Sequence, residues 1–203
     1  GAIIFHRLFS IRSTGPLDPP AGTPQNGAEY RYRLKGLRDV LERASGLNIL
    51  FVCTGNTCRS PMAEGVLRAQ VALWGIGDRV LIDSAGTTRW HESQPPTPEA
   101  QVAARERGYF INELRSRPVE ASDFDRFDWI IGMTREHQQF LRERRRSHDQ
   151  AQILLITAFS TNPGFREIAD PFSQGQEAYD LALDQIERCC ADILLRVRTS
   201  VAA

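Results

Sequence analysis

Lysine is nearly absent from this sequence, because Lys35 is the only one among its 25 lysine and arginine residues. A site that depends on lysine, such as a Schiff base or a Walker-type phosphate loop, therefore has almost no candidate residue. The formal net charge is zero, which argues against a large nucleic-acid footprint and predicts no nucleic-acid partner. No run of about 18 apolar residues occurs, so the sequence predicts no membrane span.

Cysteine is also scarce, with four residues in the whole chain. The spacing of Cys53, Cys58 and the adjacent pair Cys189 and Cys190 is not that of a disulfide scaffold. The four histidines do not fall near them in zinc-ligand spacing. The sequence thus predicts reduced thiols and a cytoplasmic setting, with Cys189 and Cys190 as core or groove residues of a helix.

Two regions of different character follow one another along the chain. Residues 1–46 form a predicted N-terminal extension: an arm, a Pro/Gly-rich linker over 13–28 and one amphipathic helix over 29–45. Residues 47–203 form the predicted catalytic domain, because buried strands and amphipathic helices alternate there. The amphipathic helix is predicted to pack on this domain or on a partner, and the sequence does not decide between them.

The alternation in the second region predicts its fold. Continuous apolar runs, typical of strands buried on both faces, begin at LNILFV and recur three times. The predicted strands are 47–52, 79–86, 127–133 and 151–157, and the predicted helices lie near 61–74, 97–108, 134–147 and 176–198. The fold class is therefore α/β, a single three-layer α/β/α domain with a four-stranded parallel sheet. Ligands of such folds bind at the carboxyl ends of the strands.

The stretch FVCTGNTCRSPMAEG joins the first strand to the first helix and carries the candidate chemistry. Pro61 suits the first turn of that helix, and Ser60 suits the cap before it. A loop that closes into a helix N-terminus points backbone N–H groups inward and binds dianions such as phosphate. Arg59 adds a planar guanidinium that can bind two phosphate oxygens. The positive field of the loop N–H groups and the helix N-terminus also favours a thiolate at Cys53. These residues predict a nucleophile that attacks phosphorus and forms a cysteinyl-phosphate.

The segment CTGNTCRSPMAE resembles the phosphate-binding loop of the low-molecular-weight protein tyrosine phosphatases. The resemblance spans about residues 47–198, since DSAGT at 83–87, the strand DWIIGM and the late ADPF at 169–172 follow in the family's order. It implies that the enzyme hydrolyses phosphotyrosine in proteins, with phosphorylated proteins as substrates and inorganic phosphate as product and inhibitor. No metal and no other cofactor is expected, because the loop amides and Arg59 supply the charge stabilisation.

The resemblance also assigns a role to each matching residue. Cys53 is the nucleophile, Arg59 the phosphate clamp, and Asp170 the general acid and then the base that activates water. The phosphate-binding set is Thr54, Gly55, Asn56, Thr57, Cys58, Arg59 and Ser60. Ser60 hydrogen-bonds the thiolate, and Asn56, braced by Ser84, holds the backbone of the loop. Cys58 is either a partner for a reversible protective disulfide with Cys53 or a small loop residue without redox duty.

Some positions depart from the family's pattern and leave the substrate open. Thr134 stands where the tyrosine phosphatases usually have aspartate, and Leu114 where many have a histidine. Thr57 replaces a branched aliphatic residue and resembles the protein-arginine phosphatase branch. Trp90 and Phe172 favour phosphotyrosine instead, because two aromatic walls suit a flat aryl ring. The sequence favours phosphotyrosine, with phosphoarginine as the alternative and Thr57 as its selector.

The sequence disfavours two other functions and leaves one basic run and two histidines with predicted roles outside the chemistry. Thiol-linked arsenate reductases share the fold but need further cysteines, and residues 87–150 contain none. A non-catalytic phosphate-binding adaptor is disfavoured by the intact catalytic set. The run RERRRSH at 142–148 is predicted to be a solvated helix face, with a docking patch for acidic substrates as the alternative. His91 and His137 are predicted to be surface or loop-bracing residues.

Overall fold

The structure, a computed structural model, describes residues 46–160 and 166–201. The predicted arm, linker and amphipathic helix of residues 1–45 lie outside the described residues. The boundary between an extension and a catalytic domain at residues 46 and 47 therefore stays a prediction. The first described strand begins at Leu47, where the apolar pattern of the sequence begins.

Four strands form one fully parallel sheet with the order β2-β1-β3-β4. The strands are β1 (Leu47–Cys53), β2 (Val80–Gly86), β3 (Trp129–Gly132) and β4 (Gln152–Leu155). Because β1 lies between β2 and β3, its carboxyl end at Cys53 is flanked by the ends of two other strands. The strand that carries the candidate nucleophile is thus central, as the prediction of a ligand site at this edge requires.

Helices connect the strands and cover both faces of the sheet. They are α1 (Arg59–Leu73), α2 (Pro98–Glu106), α3 (Asp123–Arg126), α4 (Arg135–Arg144) and α5 (Gln176–Val201), with 3₁₀ turns at Gly77–Arg79 and Ile156–Phe159. Among the described residues, no helix is long and apolar enough to cross a membrane.

The side chains of β1 alternate between two hydrophobic cores, as expected for a strand with period two. Ile49, Phe51 and Cys53 belong to the larger core, which α1, α2 and α5 complete. Leu50 and Val52 belong to the smaller core on the other face, with residues of α3 and α4. The predicted three-layer α/β/α architecture with a four-stranded parallel sheet is confirmed. Cys189 and Cys190 are fully buried in the larger core, as predicted.

The elements differ from the prediction mainly at their ends. The last predicted strand is shorter, because the chain turns into a 3₁₀ helix at Ile156. The short helix α3 was not predicted, since four residues give no periodic signal. The predicted cap at Ser60 is wrong: α1 begins at Arg59, its N-cap residue is Cys58, and no side chain caps it. The Ser60 hydroxyl has a different partner, described below.

Candidate active site

The loop between β1 and α1 comprises residues 54–58 and lies at the carboxyl edge of the sheet. Three carbonyl groups, one just before the loop and two within it, accept from donors outside the loop. The carbonyl oxygens of Cys53 and Thr54 accept from the backbone N–H groups of Thr87 and Thr88, at 2.8 and 3.1 Å. The carbonyl of Thr57 accepts from the Thr97 N–H at 2.9 Å. These bonds fix the direction in which the loop carbonyls point.

The orientation of the carbonyl groups determines that of the amide N–H groups. In a planar trans peptide, the C=O of one residue and the N–H of the next point in opposite directions. The described residues contain no cis peptide bond. The N–H groups of Thr54, Gly55 and Cys58 therefore point away from the outer donors and toward the inside of the loop. Together with the amino end of α1, they form a cradle of donors suited to a dianion.

A chain of hydrogen bonds runs from the candidate nucleophile into the protein. Ser60 Oγ lies 3.0 Å from Cys53 Sγ, and Asn56 Nδ2 donates to Ser60 Oγ at 2.9 Å and to Ser84 Oγ at 2.8 Å. Ser60 Oγ accepts from Asn56, and its own proton has two acceptors within reach, the Ala85 carbonyl at 3.3 Å and a Cys53 thiolate. The backbone of Asn56 has φ of 56°, a left-handed conformation that asparagine tolerates better than most residues. The side-chain bonds of Asn56 hold this conformation in place.

Glu64 ends this chain and is a site residue that the sequence analysis missed. Its Oε2 accepts from Ser84 Oγ at 2.6 Å, and its Oε1 pairs with the Arg68 guanidinium at 2.6 Å, one helical turn further. The carboxyl group is buried, whereas Arg68 is half-exposed. The spacing of Glu64 and Arg68 at i and i+4 is the only sequence signal for this role, and on a helix it usually marks a surface pair.

Arg117 braces the loop through its backbone N–H group. Its backbone N–H donates to Asn56 Oδ1 at 2.9 Å, which fixes the orientation of the Asn56 amide. Its guanidinium pairs with Asp83 and with the fully buried Asp123, both at 2.9 Å. Leu114 packs against the larger core and contributes no polar group. Arg117 therefore braces the loop through its backbone amide, while the two carboxylates hold its side chain in place.

Arg59 and Asp170 meet at the mouth of the loop. Arg59 NH2 donates to Asp170 Oδ2 at 2.5 Å and to Thr54 Oγ1 at 3.3 Å, and NH1 donates to the carbonyl of Ile168 at 3.2 Å. Arg59 is buried, while the Asp170 side chain is 46% exposed. Among the described residues, the buried Nε of Arg59 has no hydrogen-bond partner. A buried charged donor without an acceptor, beside a cradle of N–H groups, marks an anion site.

These groups surround a cavity of about 120 Å³. Nine of the predicted site residues line it: Cys53, Thr54, Gly55, Thr57, Cys58, Arg59, Trp90, Asp170 and Phe172. Asn56, Ser60 and Ser84 lie behind the loop and are buried. The functional role of each of these residues stays a prediction, but the structure brings all twelve to one place.

The rim of the cavity is aromatic. The side chains of Trp90 and Phe172 are 77% and 52% exposed, respectively. His91, which the sequence analysis treated as a surface or bracing residue, also lines the cavity. Its ring centroid lies 6.2 Å from that of Phe172, and a Cβ added at Gly55 would come within 2.9 Å of its Cδ2 atom. Three aromatic side chains thus frame the entrance, and a side chain at position 55 would require His91 to shift.

Cys58 lines the cavity, and its sulfur contacts a small polar cluster. Its Sγ lies 3.4 Å from the Tyr179 hydroxyl and 3.8 Å from Thr97 Oγ1. Burial raises the pKa of the Cys58 thiol above its ordinary value of 9.0. The described cysteines are all free thiols, and a protective disulfide with Cys53 stays a prediction.

The pKa values of two buried groups of the site are shifted in opposite directions. Burial raises the pKa of Glu64 from 4.5 to about 7. Burial, with the nearby positive charge of Arg59, lowers the pKa of His137 from 6.5 to about 4. A raised carboxyl pKa makes the folded state lose stability as pH rises from 4.5 to 7. A lowered histidine pKa makes it gain stability as pH rises from 4 to 6.5. The two effects oppose each other between pH 4.5 and 6.5.

We expect the Glu64→Gln variant to reveal the first effect. At about 1.4 kcal/mol per pKa unit, ionising Glu64 costs the folded protein about 3 kcal/mol. The free energy of unfolding of the parent, minus that of the variant, should therefore fall by about 3 kcal/mol between pH 4 and pH 8. Urea unfolding of both proteins across this range measures the difference. A difference that does not change with pH would show that Glu64 is ionised at no cost.

Gly86, at the end of β2, is predicted to be essential to the loop. A Cβ at this position would lie 2.8 Å from the Thr54 carbonyl oxygen, 3.1 Å from the carbonyl carbon of Gly55 and 3.2 Å from the Asn56 nitrogen. These are backbone atoms of the loop, so they cannot move without deforming it. We expect Gly86→Ala to cost about 1–3 kcal/mol of stability and to weaken the binding of inorganic phosphate.

Gly77→Ala is the matched control, because the added Cβ would meet only the Ala72 Cα at 3.8 Å, an ordinary contact. Calorimetric titration with phosphate and urea unfolding distinguish the two variants. Equal phosphate affinity in Gly86→Ala and Gly77→Ala would contradict the argument.

Comparison with known proteins assigns the chain to a family. The family model of the low molecular weight phosphotyrosine protein phosphatases matches residues 48–203. A low molecular weight protein-tyrosine-phosphatase of Streptomyces coelicolor is 33% identical over 156 residues, which cover 75% of this chain and 94% of the relative. The family match covers nearly all of the described residues.

Solved structures agree in fold and in sequence. A protein tyrosine phosphatase from Entamoeba histolytica, crystallised with Hepes in the active site, superimposes with a TM-score of 0.72 at 30% identity. The match covers 76% of this chain and 98% of that chain. A Drosophila arginine phosphatase superimposes with a TM-score of 0.69, also at 30% identity, over 73% of this chain and 96% of that chain. The chain therefore belongs to the low molecular weight phosphotyrosine protein phosphatase family and is a phosphatase of that type.

Proposed function

We propose that this phosphatase hydrolyses phosphotyrosine in proteins through a cysteinyl-phosphate intermediate on Cys53. The observation that carries the proposal is the buried Arg59, whose unpartnered Nε and paired NH2 face a cradle of loop N–H groups beside the Cys53 sulfur. The oxygens of a dianionic phosphoryl group can accept hydrogen bonds from the Arg59 guanidinium and from the loop N–H groups at the same time. The Cys53 sulfur is then adjacent to the phosphorus atom that it attacks.

In the first step, the thiolate of Cys53 forms a bond to phosphorus as the bond to the tyrosine oxygen breaks. Asp170 gives its proton to that leaving oxygen, which departs as neutral tyrosine. The position of Asp170 at the mouth of the cavity, beside Arg59, supports this role. In the second step, Asp170 accepts a proton from water, whose oxygen attacks phosphorus and releases Cys53 and inorganic phosphate. Phosphate is therefore both product and competitive inhibitor.

Ser60, Asn56 and Ser84 act by holding the loop and the thiolate. A Ser60 proton donated to the sulfur stabilises the thiolate before attack and the leaving sulfur in the second step. The bonds of Asn56 to Ser60 and Ser84 support this assignment. The reduced thiols that this mechanism needs fit a reducing compartment such as the cytoplasm.

The aromatic rim supports phosphotyrosine as the substrate. Exposed Trp90 and Phe172 side chains offer flat apolar surfaces on which an aryl ring stacks. Phosphorylated proteins are the partners that this site implies, since the rim is open to solvent. Phosphoserine has no aryl ring and would leave these surfaces uncovered.

Protein-arginine phosphatase activity is the second candidate, because one specific residue favours it. Thr57 lines the cavity and supplies a hydroxyl where an aliphatic residue is usual, and an arginine phosphatase is among the structural relatives. A guanidinium group can also stack on the aromatic rim. Arsenate reduction and a non-catalytic adaptor role have no comparable observation in their favour.

Phosphate release from matched phosphotyrosine and phosphoarginine peptides tests the proposal. We expect the parent enzyme to prefer phosphotyrosine, Trp90→Ala to lower that preference, and Thr57→Val to leave it in place. Preference for phosphoarginine that is lost in Thr57→Val would instead support the second candidate. Release from neither peptide by the reduced protein would contradict both.

A further inference from the structure

His137 is a buried histidine that the mechanism above does not use. It occupies the third position of α4, and only 3% of it is exposed. Gly132, at the end of β3, makes room for it, since a Cβ there would lie 3.0 Å from the His137 Cβ. The Nε2 atom of His137 lies 3.0 Å from Thr54 Oγ1, the first side chain of the loop after Cys53. A side chain from a different strand-helix unit thus reaches the phosphate loop.

The hydrogen bonds of the ring define its tautomer. The Thr134 backbone N–H donates to His137 Nδ1 at 3.2 Å, so Nδ1 is an acceptor and carries no proton. The Thr134 hydroxyl lies 3.1 Å from the same atom and accepts from the His137 backbone N–H, which completes a capping box. In a neutral imidazole with an unprotonated Nδ1, the proton is on Nε2. His137 therefore donates to Thr54 Oγ1.

Thr54 Oγ1 receives a second donor from the opposite side. Arg59 NH2 lies 3.3 Å from it and carries no acceptor. With His137 Nε2–H and Arg59 both donating to its oxygen, the hydroxyl group has its lone pairs occupied and its proton left over. Thr54 lines the cavity, so the direction that remains for this proton is toward the bound group. The loop thereby gains a side-chain donor in addition to its backbone amides.

We propose that His137 is a positioning residue that holds the Thr54 hydroxyl as a hydrogen-bond donor to the phosphoryl oxygens of the substrate. The proposal rests on the function proposed above. Arg59 shares its guanidinium between Thr54, Asp170 and the Ile168 carbonyl, whereas the buried His137 is fixed by its capping box and gives its Nε2–H to Thr54 alone. His137 thus keeps Thr54 oriented during the reaction. Because the ring is neutral at neutral pH, it adds a donor without a second buried cation beside Arg59.

Substitutions at both positions separate this role from a structural one. Thr54→Val removes the hydroxyl at nearly constant volume, and Thr54→Ser retains it. In His137→Asn, the side-chain oxygen replaces Nδ1 and can still accept from Thr134, but no atom reaches Thr54. In His137→Gln, the terminal amide nitrogen takes the place of Nε2 and reaches Thr54. The asparagine variant keeps the helix cap without the donor, and the glutamine variant supplies the donor.

The readouts are the affinity for inorganic phosphate by calorimetry and kcat/KM on a phosphotyrosine peptide. We expect Thr54→Val and His137→Asn each to lower both by about 10- to 100-fold, the range for a hydrogen bond to a charged group. Thr54→Ser and His137→Gln should regain most of this loss. His137→Asn added to Thr54→Val should cause little further loss, because the two residues act on one bond.

Three results would overturn the proposal. They are an unchanged phosphate affinity in Thr54→Val, equal losses in His137→Asn and His137→Gln, and full additivity of the two substitutions. Urea unfolding identifies any variant whose loss is one of folding. Failure of the proposed function is distinguishable, because it would abolish turnover in the parent while the phosphate affinities would still be measurable.

Discussion

Replacing Cys53 by serine is expected to lower phosphate release on the order of 10⁴-fold or more, the scale seen when a covalent nucleophile is removed. Serine has nearly the same size, and its hydroxyl stays protonated where the thiol can ionise. Ser60 would still lie next to it, and the loop amides and Arg59 would still bind an anion. The effect should therefore fall on kcat and leave phosphate binding largely intact.

Two measurements on Cys53→Ser check this expectation. Single-turnover kinetics with a phosphotyrosine peptide give the loss of the chemical step, and calorimetry with inorganic phosphate gives the binding. Turnover within tenfold of the parent would contradict the assignment of the nucleophile. Loss of phosphate binding together with turnover would point to a collapsed loop, which urea unfolding of the variant would reveal.

Replacing Asp170 by asparagine is expected to lower kcat/KM by about 10²–10⁴-fold for substrates with a poor leaving group. Asparagine has the same shape but cannot deliver a proton to the departing oxygen. A leaving group that is stable as an anion, such as p-nitrophenolate, needs no proton and should suffer a smaller loss. The loss should thus be larger for phenyl phosphate than for p-nitrophenyl phosphate, and this difference identifies a general acid.

Glu167→Gln is the matched control for Asp170→Asn. Glu167 is a carboxylate three residues earlier that pairs with exposed Arg135 at 3.8 Å and accepts from its backbone N–H at 3.0 Å. The same change of charge near the site should leave the ratio of the kcat/KM values for phenyl phosphate and p-nitrophenyl phosphate unchanged. Equal losses for both substrates in Asp170→Asn would mean that the residue acts through the charge of Arg59 and not as an acid.

Much of the fold could be predicted from sequence because local patterns and global packing agree. The continuous apolar run at β1 reflects burial on both faces, and its central place in the sheet follows from that burial. The loop from Cys53 to Arg59 could be recognised because every part of it is contiguous in sequence. Asp170 could be identified only through the family resemblance, since nothing local distinguishes it from a turn residue before proline.

Glu64 was not predicted, and the sequence left His137 as either a surface or a loop-bracing residue, for one physical reason. Both belong to helices whose patterns give them no special status, and their contacts are with residues 20 and 83 positions away, Ser84 and Thr54. Ser60 illustrates the opposite error. A serine before proline at a helix start suggests a cap, but tertiary packing brings its hydroxyl to the Cys53 sulfur. Long-range hydrogen bonds of this kind have no periodic signal in the sequence.

The central claim is that the phosphoryl group passes through Cys53. Mass spectrometry of the enzyme, quenched under denaturing conditions within the first turnovers of a phosphotyrosine peptide, tests it most directly. The mechanism predicts a phosphoryl group on the peptide that contains Cys53, formed as fast as the first tyrosine is released and absent from Cys53→Ser. A phosphoryl group on another side chain, or a burst of tyrosine release without any phosphorylated enzyme, would contradict it.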